Sequence, residues 1–116
     1  MGQFRVLNCC KNYDIDASRI YPFNQHAVCC LSAGLKYLDK ITEAYVFGSS
    51  LTDMCNIYSD IDVALSVTED CTIEERSELT CILQTITCWR CDFVWLDRIT
   101  ETERLYFEIM KGLKIK

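Results

Sequence analysis

The chain has 116 residues, of which half are hydrophobic and a quarter are charged, and its formal net charge is −5. This length predicts a single domain over residues 1–116, built around one core. The acidic balance argues against direct nucleic-acid binding, which normally requires a basic surface. No apolar leader segment follows Met1, and no apolar run approaches the roughly 20 residues of a membrane span. We therefore expect a cytoplasmic protein that does not enter a membrane.

Nine cysteines are unusual in a chain of this size. In a short secreted protein they would indicate a disulfide scaffold, whereas cytoplasmic thiols stay reduced. The pairs Cys9-Cys10 and Cys29-Cys30 are each adjacent in sequence, and adjacent residues do not easily converge on one metal ion. We therefore expect most of the cysteines to serve as small apolar core residues.

The first readable element is a helix that starts after Pro22, with Asn24 as its cap, and runs to about Lys40. Its apolar residues recur at steps of three and four, as expected for a helix with one buried face. Two strands follow, at Ala44–Phe47 and Ile61–Val67, and a mostly polar connection separates them.

The second half of the chain repeats this pattern of helix and strand. A capping box that begins at Thr72 opens a helix to about Thr87, and Cys91–Leu96 is a third strand. A second capping box at Thr100 opens a last helix, which Gly112 is placed to end. The element order predicts an α/β (α+β) fold in which helices flank a mixed sheet.

The stretch from Gly48 to Asp62 carries most of the functional signal, because Gly-Ser is followed after ten residues by Asp-Ile-Asp. Asp60 and Asp62 lie two apart on a predicted strand, so their side chains share one face. Neighbouring carboxylates repel each other, and a divalent cation such as magnesium would relieve that repulsion. Gly48 allows a ligand to approach the backbone closely, and Ser49 offers a hydroxyl and an N–H to a phosphate.

Asp92 is a third acid, placed in an otherwise apolar strand, where a lone carboxylate needs a reason. If that strand neighbours the one carrying Asp60 and Asp62, the three acids could hold two metal ions. A phosphate site beside a metal pair outlines a site for a nucleoside triphosphate. The simpler alternatives are a solvated strand end for the first two acids and an exposed edge position for Asp92.

The pattern Gly-Ser, ten residues, Asp-x-Asp and a later strand acid resembles the nucleotidyltransferase superfamily related to DNA polymerase beta. Over about residues 24–116, including Ser59–Ala64 and Glu108–Gly112, the chain is similar to the minimal nucleotidyltransferases of the MntA type. The resemblance implies the nucleotidyltransferase fold and a magnesium-dependent transfer of a nucleotide, with ATP as the expected donor.

The roles of individual residues follow from that resemblance. Gly48 and Ser49 would bind the triphosphate, and Asp60 and Asp62 would hold the magnesium ions. Asp92 would bind the catalytic metal and help to deprotonate the acceptor hydroxyl. These five positions are the candidate catalytic, cofactor-binding and metal-binding residues.

The family also suggests a partner. MntA-like proteins are generally antitoxins that pair with a HEPN ribonuclease toxin, and several add AMP to a tyrosine of that toxin. A chain this short has no second domain to bind a small acceptor, which favours a protein hydroxyl. We therefore expect an antitoxin that transfers AMP from ATP to a HEPN partner.

One departure keeps two alternatives open. Many relatives carry Ala-Arg-Gly shortly after Gly-Ser, whereas this chain has Leu51, Thr52 and Asp53, with no arginine there for the phosphates. The protein could therefore be a weak or inactive module that neutralises its partner by binding alone. A small-molecule, antibiotic-type nucleotidyltransferase is the other alternative, and it would need a helical domain that this chain lacks.

Overall fold

The computed structural model describes residues 3–116. Within that range three α-helices and four strands form a mixed sheet, in the order β3-β2-β1-β4. The helices are α1 (Pro22–Leu35), α2 (Ile73–Ile86) and α3 (Arg104–Met110), and the strands are β1 (Ile41–Phe47), β2 (Ile61–Val67), β3 (Cys91–Trp95) and β4 (Leu113–Lys114). Strands β2 and β3 are parallel, and β1 is antiparallel to both β2 and β4. The predicted α+β fold with a mixed sheet is confirmed.

The two faces of the sheet are covered by different helices. Ile61, Val63 and Leu65 of β2 are fully buried in the main core, together with apolar residues of α1 and α2. On the opposite face, Ala64 packs with Phe47 of β1 and Ile109 of α3. Because side chains alternate along a strand, Asp62 lies on the same face as Ala64. The candidate site therefore lies at the end of the sheet, on the α3 side.

Helix α1 differs from the prediction at both ends. It begins at Pro22, the position where a missing N–H costs nothing, and Asn24 is a buried residue inside the helix, not its cap. It ends at Leu35, five residues before Lys40. The Nζ of Lys116 donates hydrogen bonds to the carbonyls of Leu35 and Leu38 at 2.6 and 3.0 Å. A cation from the far end of the chain therefore satisfies carbonyls at and just beyond this helix end.

The predicted capping boxes have different outcomes. Thr72 caps α2, and both reciprocal hydrogen bonds with Glu75 are present. Thr100 also donates to Glu103, at 3.1 Å, but α3 begins only at Arg104, so this contact stabilises a turn before the helix.

The chain after α3 forms a short strand that the sequence pattern did not reveal. A Cβ on Gly112 would lie 2.4 Å from the carbonyl oxygen of Val46, so only glycine allows the chain to pass this close to β1. Strand β4 then pairs with β1. In residues 3–116 no helix has the length and apolarity needed to cross a membrane.

Candidate functional site

Gly48 follows directly on β1 and shapes the candidate site. Its φ is +78°, a left-handed conformation that residues with a side chain rarely adopt. A Cβ built on Gly48 would also lie 2.6 Å from an Oδ2 oxygen of Asp62. The position therefore requires glycine for two independent reasons, and the backbone at Gly48 lies directly against a carboxylate.

Strand pairing places two of the predicted acids side by side. Asp62 is opposite Phe47 in the antiparallel β1–β2 pair and opposite Asp92 in the parallel β2–β3 pair. Strand β3 is an edge strand and Asp92 is exposed, so water alone could accommodate its charge. Its register with Asp62, however, puts it on the same face of the sheet as that acid.

Asp60 lies slightly differently from the expectation. Strand β2 begins at Ile61, so Asp60 precedes the strand and is exposed, whereas Asp62 is half-buried. Burial raises the pKa of Asp62 above its ordinary value, and the negative charges of Asp92 and Asp60 raise it further. The three acids are therefore close enough to interact, and they do so unfavourably.

We call Asp60, Asp62 and Asp92 the acid cluster, and its chemistry fits magnesium. Carboxylate oxygens are the hard ligands that this ion prefers, and a cation would offset the repulsion that raises the pKa of Asp62. Within residues 3–116 no three side chains of the ligand types His, Cys, Asp or Glu are already converged on one point. The acid cluster therefore offers the type of ligand that magnesium prefers, without a preassembled set of three ligands among the described residues.

Ser49 lies within a short 3₁₀ turn, Gly48–Leu51, and does not precede a longer helix. This segment therefore does not place the N-terminus of an α-helix behind Ser49. The next residue, Ser50, is fully buried, and its carbonyl accepts a hydrogen bond from the N–H of Tyr21 at 2.8 Å. The Gly-Ser loop is thus held from the side of α1.

A buried amide that the sequence pattern assigned to a helix cap completes this support. The Nδ2 of Asn24 donates to the Oγ of Ser50 and to the Sγ of Cys55, both at 3.1 Å. Its Oδ1 accepts a hydrogen bond from the guanidinium of Arg90, which also lies 4.7 Å from the ring centre of Phe23. The only signal in the sequence is a polar residue within the first turn of an apolar helix.

Arg90 is relevant to the absence of an arginine from the segment that follows Gly48-Ser49. Its carbonyl accepts the N–H of Ile61 at 2.8 Å, so the residue borders the segment between Asp60 and Asp62. Its guanidinium reaches the Gly-Ser loop only through Asn24. The chain therefore places an arginine near the site from the β3 side, although it contacts the loop indirectly.

The described surface has several open depressions, and two of them differ in the residues that line them. One, of about 540 Å³, is lined by Tyr21, Phe23, Cys55, Asn56, Ile57 and Tyr58. It shares Cys55 with the hydrogen-bond network that holds Ser50, so it borders the candidate site. The other, of about 500 Å³, runs along α2 beside Ile82 and Ile86 and does not include any predicted site residue.

These features agree with comparisons with known proteins. Residues 31–115 match the family described as polymerase beta, nucleotidyltransferase. The match covers most of the chain, so the protein belongs to this nucleotidyltransferase family. Its fold is also similar to a chain in the solved structure of the tri-AMPylated Shewanella oneidensis HEPN toxin in complex with MNT antitoxin. The two are 23% identical, with a TM-score of 0.52, over 78% of this chain and 71% of that chain.

No curated protein matches the sequence significantly. The predicted membership of the nucleotidyltransferase superfamily is confirmed at the level of family and fold. The individual roles of Gly48, Ser49 and the acid cluster stay predictions.

Proposed function

We propose that this protein is a magnesium-dependent nucleotidyltransferase that transfers AMP from ATP to a hydroxyl of a HEPN toxin, and so acts as its antitoxin. The observation that carries the proposal is the contact between Gly48 and Asp62, with Asp92 in register beside them. Backbone N–H groups that can donate hydrogen bonds to phosphate oxygens lie beside carboxylates that can bind cations. This combination suits a nucleoside triphosphate better than any uncharged substrate.

Each residue then has a distinct task. Asp60, Asp62 and Asp92 would hold magnesium, which neutralises phosphate charge and lowers the pKa of a bound hydroxyl. The N–H groups of Gly48 and Ser49 would orient the β- and γ-phosphates. Asp92 is exposed and would accept the proton of the incoming hydroxyl. That oxygen attacks the α-phosphorus in line, the bond between the α- and β-phosphates breaks, and pyrophosphate leaves.

The acceptor is proposed to be a protein. The solved relative lies in a structure in which a HEPN toxin carries AMP and is bound to MNT antitoxin. The net charge of −5 makes the surface of this chain suited to a basic partner. The cytoplasmic location expected from the sequence also stays a prediction.

Transfer of label tests the proposal directly. The protein is incubated with ATP labelled at the α-phosphate, with magnesium, and with a HEPN protein encoded beside it. We expect label on the HEPN protein, and we expect Asp62→Asn to abolish it. Asp53→Asn is the matched control, because it removes one exposed carboxylate from the loop between Ser49 and Asp60. This control should retain the activity of the unmodified protein.

The same experiment separates the catalytic function from neutralisation by contact. If the HEPN protein is inhibited without label, and if Asp62→Asn inhibits it equally well, the chain acts by binding alone. When an aminoglycoside is added to the same mixture, label on the aminoglycoside but not on any protein would instead identify a small-molecule transferase. Either result would overturn the proposal.

A further inference from the structure

The nine cysteines are all free thiols, but they are not distributed as the sequence suggested. Only four of them are buried: Cys10, Cys29, Cys55 and Cys91. The expectation of mostly core cysteines is therefore wrong. The others line the surface or are half-buried, because their segments lie on outer helix faces and turns.

The fold brings the two adjacent cysteine pairs close together. Cys9 and Cys10 lie in a 3₁₀ turn, Asn8–Cys10, that packs against α1. Cys10 is buried in one small apolar cluster with Cys29 of α1. Cys30 follows on the same helix, and we call these four residues the thiol cluster.

The thiols form a connected path from solvent to the interior. The Sγ atoms of Cys9 and Cys10 are 3.6 Å apart, and Cys10 and Cys29 lie together in one buried cluster. Cys9 is exposed, whereas Cys10 is 2% exposed and Cys29 is fully buried. An oxidant in solution can therefore reach Cys9 directly and the two inner thiols only through it.

Burial also affects the protonation of the two inner thiols. Burial raises the pKa of Cys10 and of Cys29, so both are neutral thiols at rest. A neutral thiol must lose its proton before it attacks a disulfide, so exchange with an oxidant in solution is expected to begin at the exposed Cys9.

We propose that Cys9, Cys10 and Cys29 are a redox site, in which a low-molecular-weight disulfide such as oxidised glutathione converts Cys10 and Cys29 into a disulfide bond. Cys9 receives the oxidising equivalent and is returned as a thiol. The product links the N-terminal segment covalently to α1. Intracellular disulfides of this kind are usually reversible and serve as redox signals.

The reaction balances over three exchanges. The Cys9 thiolate attacks oxidised glutathione, and one glutathione leaves with the proton from Cys9. The Cys10 thiolate attacks the glutathione sulfur of this mixed disulfide, so that glutathione passes to Cys10 and Cys9 leaves as a thiolate that takes the proton from Cys10. The Cys29 thiolate then attacks the Cys10 sulfur, the Cys10–Cys29 bond forms, and the second glutathione leaves with the proton from Cys29. Two protein thiols are oxidised and one oxidised glutathione is reduced to two.

The link would strengthen a contact that already exists. The N–H of Leu7 donates to Oε1 of Gln25 at 2.8 Å, and Nε2 of Gln25 donates to the carbonyl of Arg5 at 2.7 Å. These bonds hold residues 5–7 against the first turns of α1. A disulfide that closes a loop of roughly 20 residues should raise the melting temperature by roughly 10 °C.

The experiment uses the unmodified protein in glutathione buffers of increasing oxidised fraction. Free thiols are alkylated, and the protein is digested without reduction and mapped by mass spectrometry. We expect a peptide that joins Cys10 to Cys29, a loss of two of the nine free thiols, and a rise in melting temperature that dithiothreitol reverses. Cys9→Ser should form the same link at least 10-fold more slowly.

Cys81→Ser is the matched control, since Cys81 is exposed on α2 outside the thiol cluster, and it should form the link at the unmodified rate. Three outcomes would overturn the proposal: glutathione retained on Cys9 without a cross-link, a disulfide between other cysteines in place of Cys10–Cys29, or an undiminished rate in Cys9→Ser. None of these readouts depends on nucleotide transfer, so this test is independent of the proposed enzymatic function.

Discussion

The acid cluster and the thiol cluster each bring together ionisable groups of one kind, and the two clusters differ in how far they are exposed to solvent. The acids lie at the open end of the sheet, where Asp60 and Asp92 are exposed and only Asp62 is half-buried. The inner thiols, Cys10 and Cys29, are enclosed by apolar side chains. The acids are open to water and to cations, whereas burial raises the pKa of the inner thiols and keeps them neutral. We therefore expect cation binding at the acid cluster and thiol–disulfide exchange at the thiol cluster.

The largest expected effect comes from filling the space beside the acid cluster. Gly48→Ala forces a side chain into a left-handed conformation and places its Cβ 2.6 Å from Asp62 in the present backbone. The loop must move away from the carboxylates, and we expect nucleotide transfer to fall by roughly 100-fold or more. The free energy of unfolding should fall by about 1–3 kcal/mol. Transfer assays and urea denaturation measure the two effects.

Gly34→Ala is the matched control for that change. Gly34 lies in α1, and a Cβ there would contact only the end of the flexible Ile86 side chain within 3 Å. Alanine is also the better helix former, by roughly 1 kcal/mol. Stability should therefore change by less than about 1 kcal/mol, with full transfer activity. Equal losses of activity in both variants would show that Gly48 has no special role.

Asn24 supports the Gly-Ser loop from α1, and its replacement is expected to have the next largest effect. Asn24→Ala would leave the buried hydroxyl of Ser50 and the guanidinium of Arg90 without their amide partner. We expect the free energy of unfolding to fall by about 2–3 kcal/mol, since buried polar groups lose their hydrogen bonds. The KM for ATP should rise because the Gly-Ser loop loses its support.

Asn12→Ala removes an exposed amide from a turn outside this network and serves as the control, with a change within about 0.5 kcal/mol. A stable Asn24→Ala protein with an unchanged KM would mean that α1 does not position the loop.

Local patterns predicted the elements that have strong periodicity or a clear cap. Strand β2 has the predicted bounds, Ile61–Val67, and Thr72 caps α2 as expected. The Gly-Ser and Asp-x-Asp motifs correctly indicated the family, because their spacing reflects a strand, a turn and a second strand. The side-by-side register of Asp62 and Asp92 was anticipated only as a condition on strand order, and the topology satisfies it.

Contacts between residues distant in sequence could not be predicted in this way. The hydrogen bond from Arg90 to Asn24 spans 66 positions, and nothing in either local segment encodes it. The approach of Cys10 to Cys29 depends on how an irregular N-terminal segment folds back on α1. Strand β4 has two residues, too few for any periodicity to appear.

A smaller effect tests how far the thiol cluster depends on being neutral and apolar. Cys29→Ser replaces a fully buried thiol with a more polar hydroxyl. We expect the reduced protein to lose about 1–2 kcal/mol of unfolding free energy, measured by denaturation in dithiothreitol. Cys81→Ser, on the exposed side of α2, should change it by less than about 0.5 kcal/mol. Similar losses in both would mean that burial of Cys29 contributes nothing specific.

The smallest predicted effect has the opposite sign and lies in the acid cluster. Burial, Asp92 and Asp60 raise the folded-state pKa of Asp62 above its unfolded value, so the folded protein binds this proton more tightly. Stability therefore falls as pH rises through the interval between the two pKa values, and the full penalty is present at pH 7. Without magnesium, Asp62→Asn should melt about 1–4 °C higher than the unmodified protein at pH 7. Thermal melts at decreasing pH should show this advantage disappearing as Asp62 becomes protonated. A large drop in melting temperature for Asp62→Asn would mean that this carboxylate stabilises the fold. The contrast between the acid cluster and the thiol cluster would then not hold for Asp62.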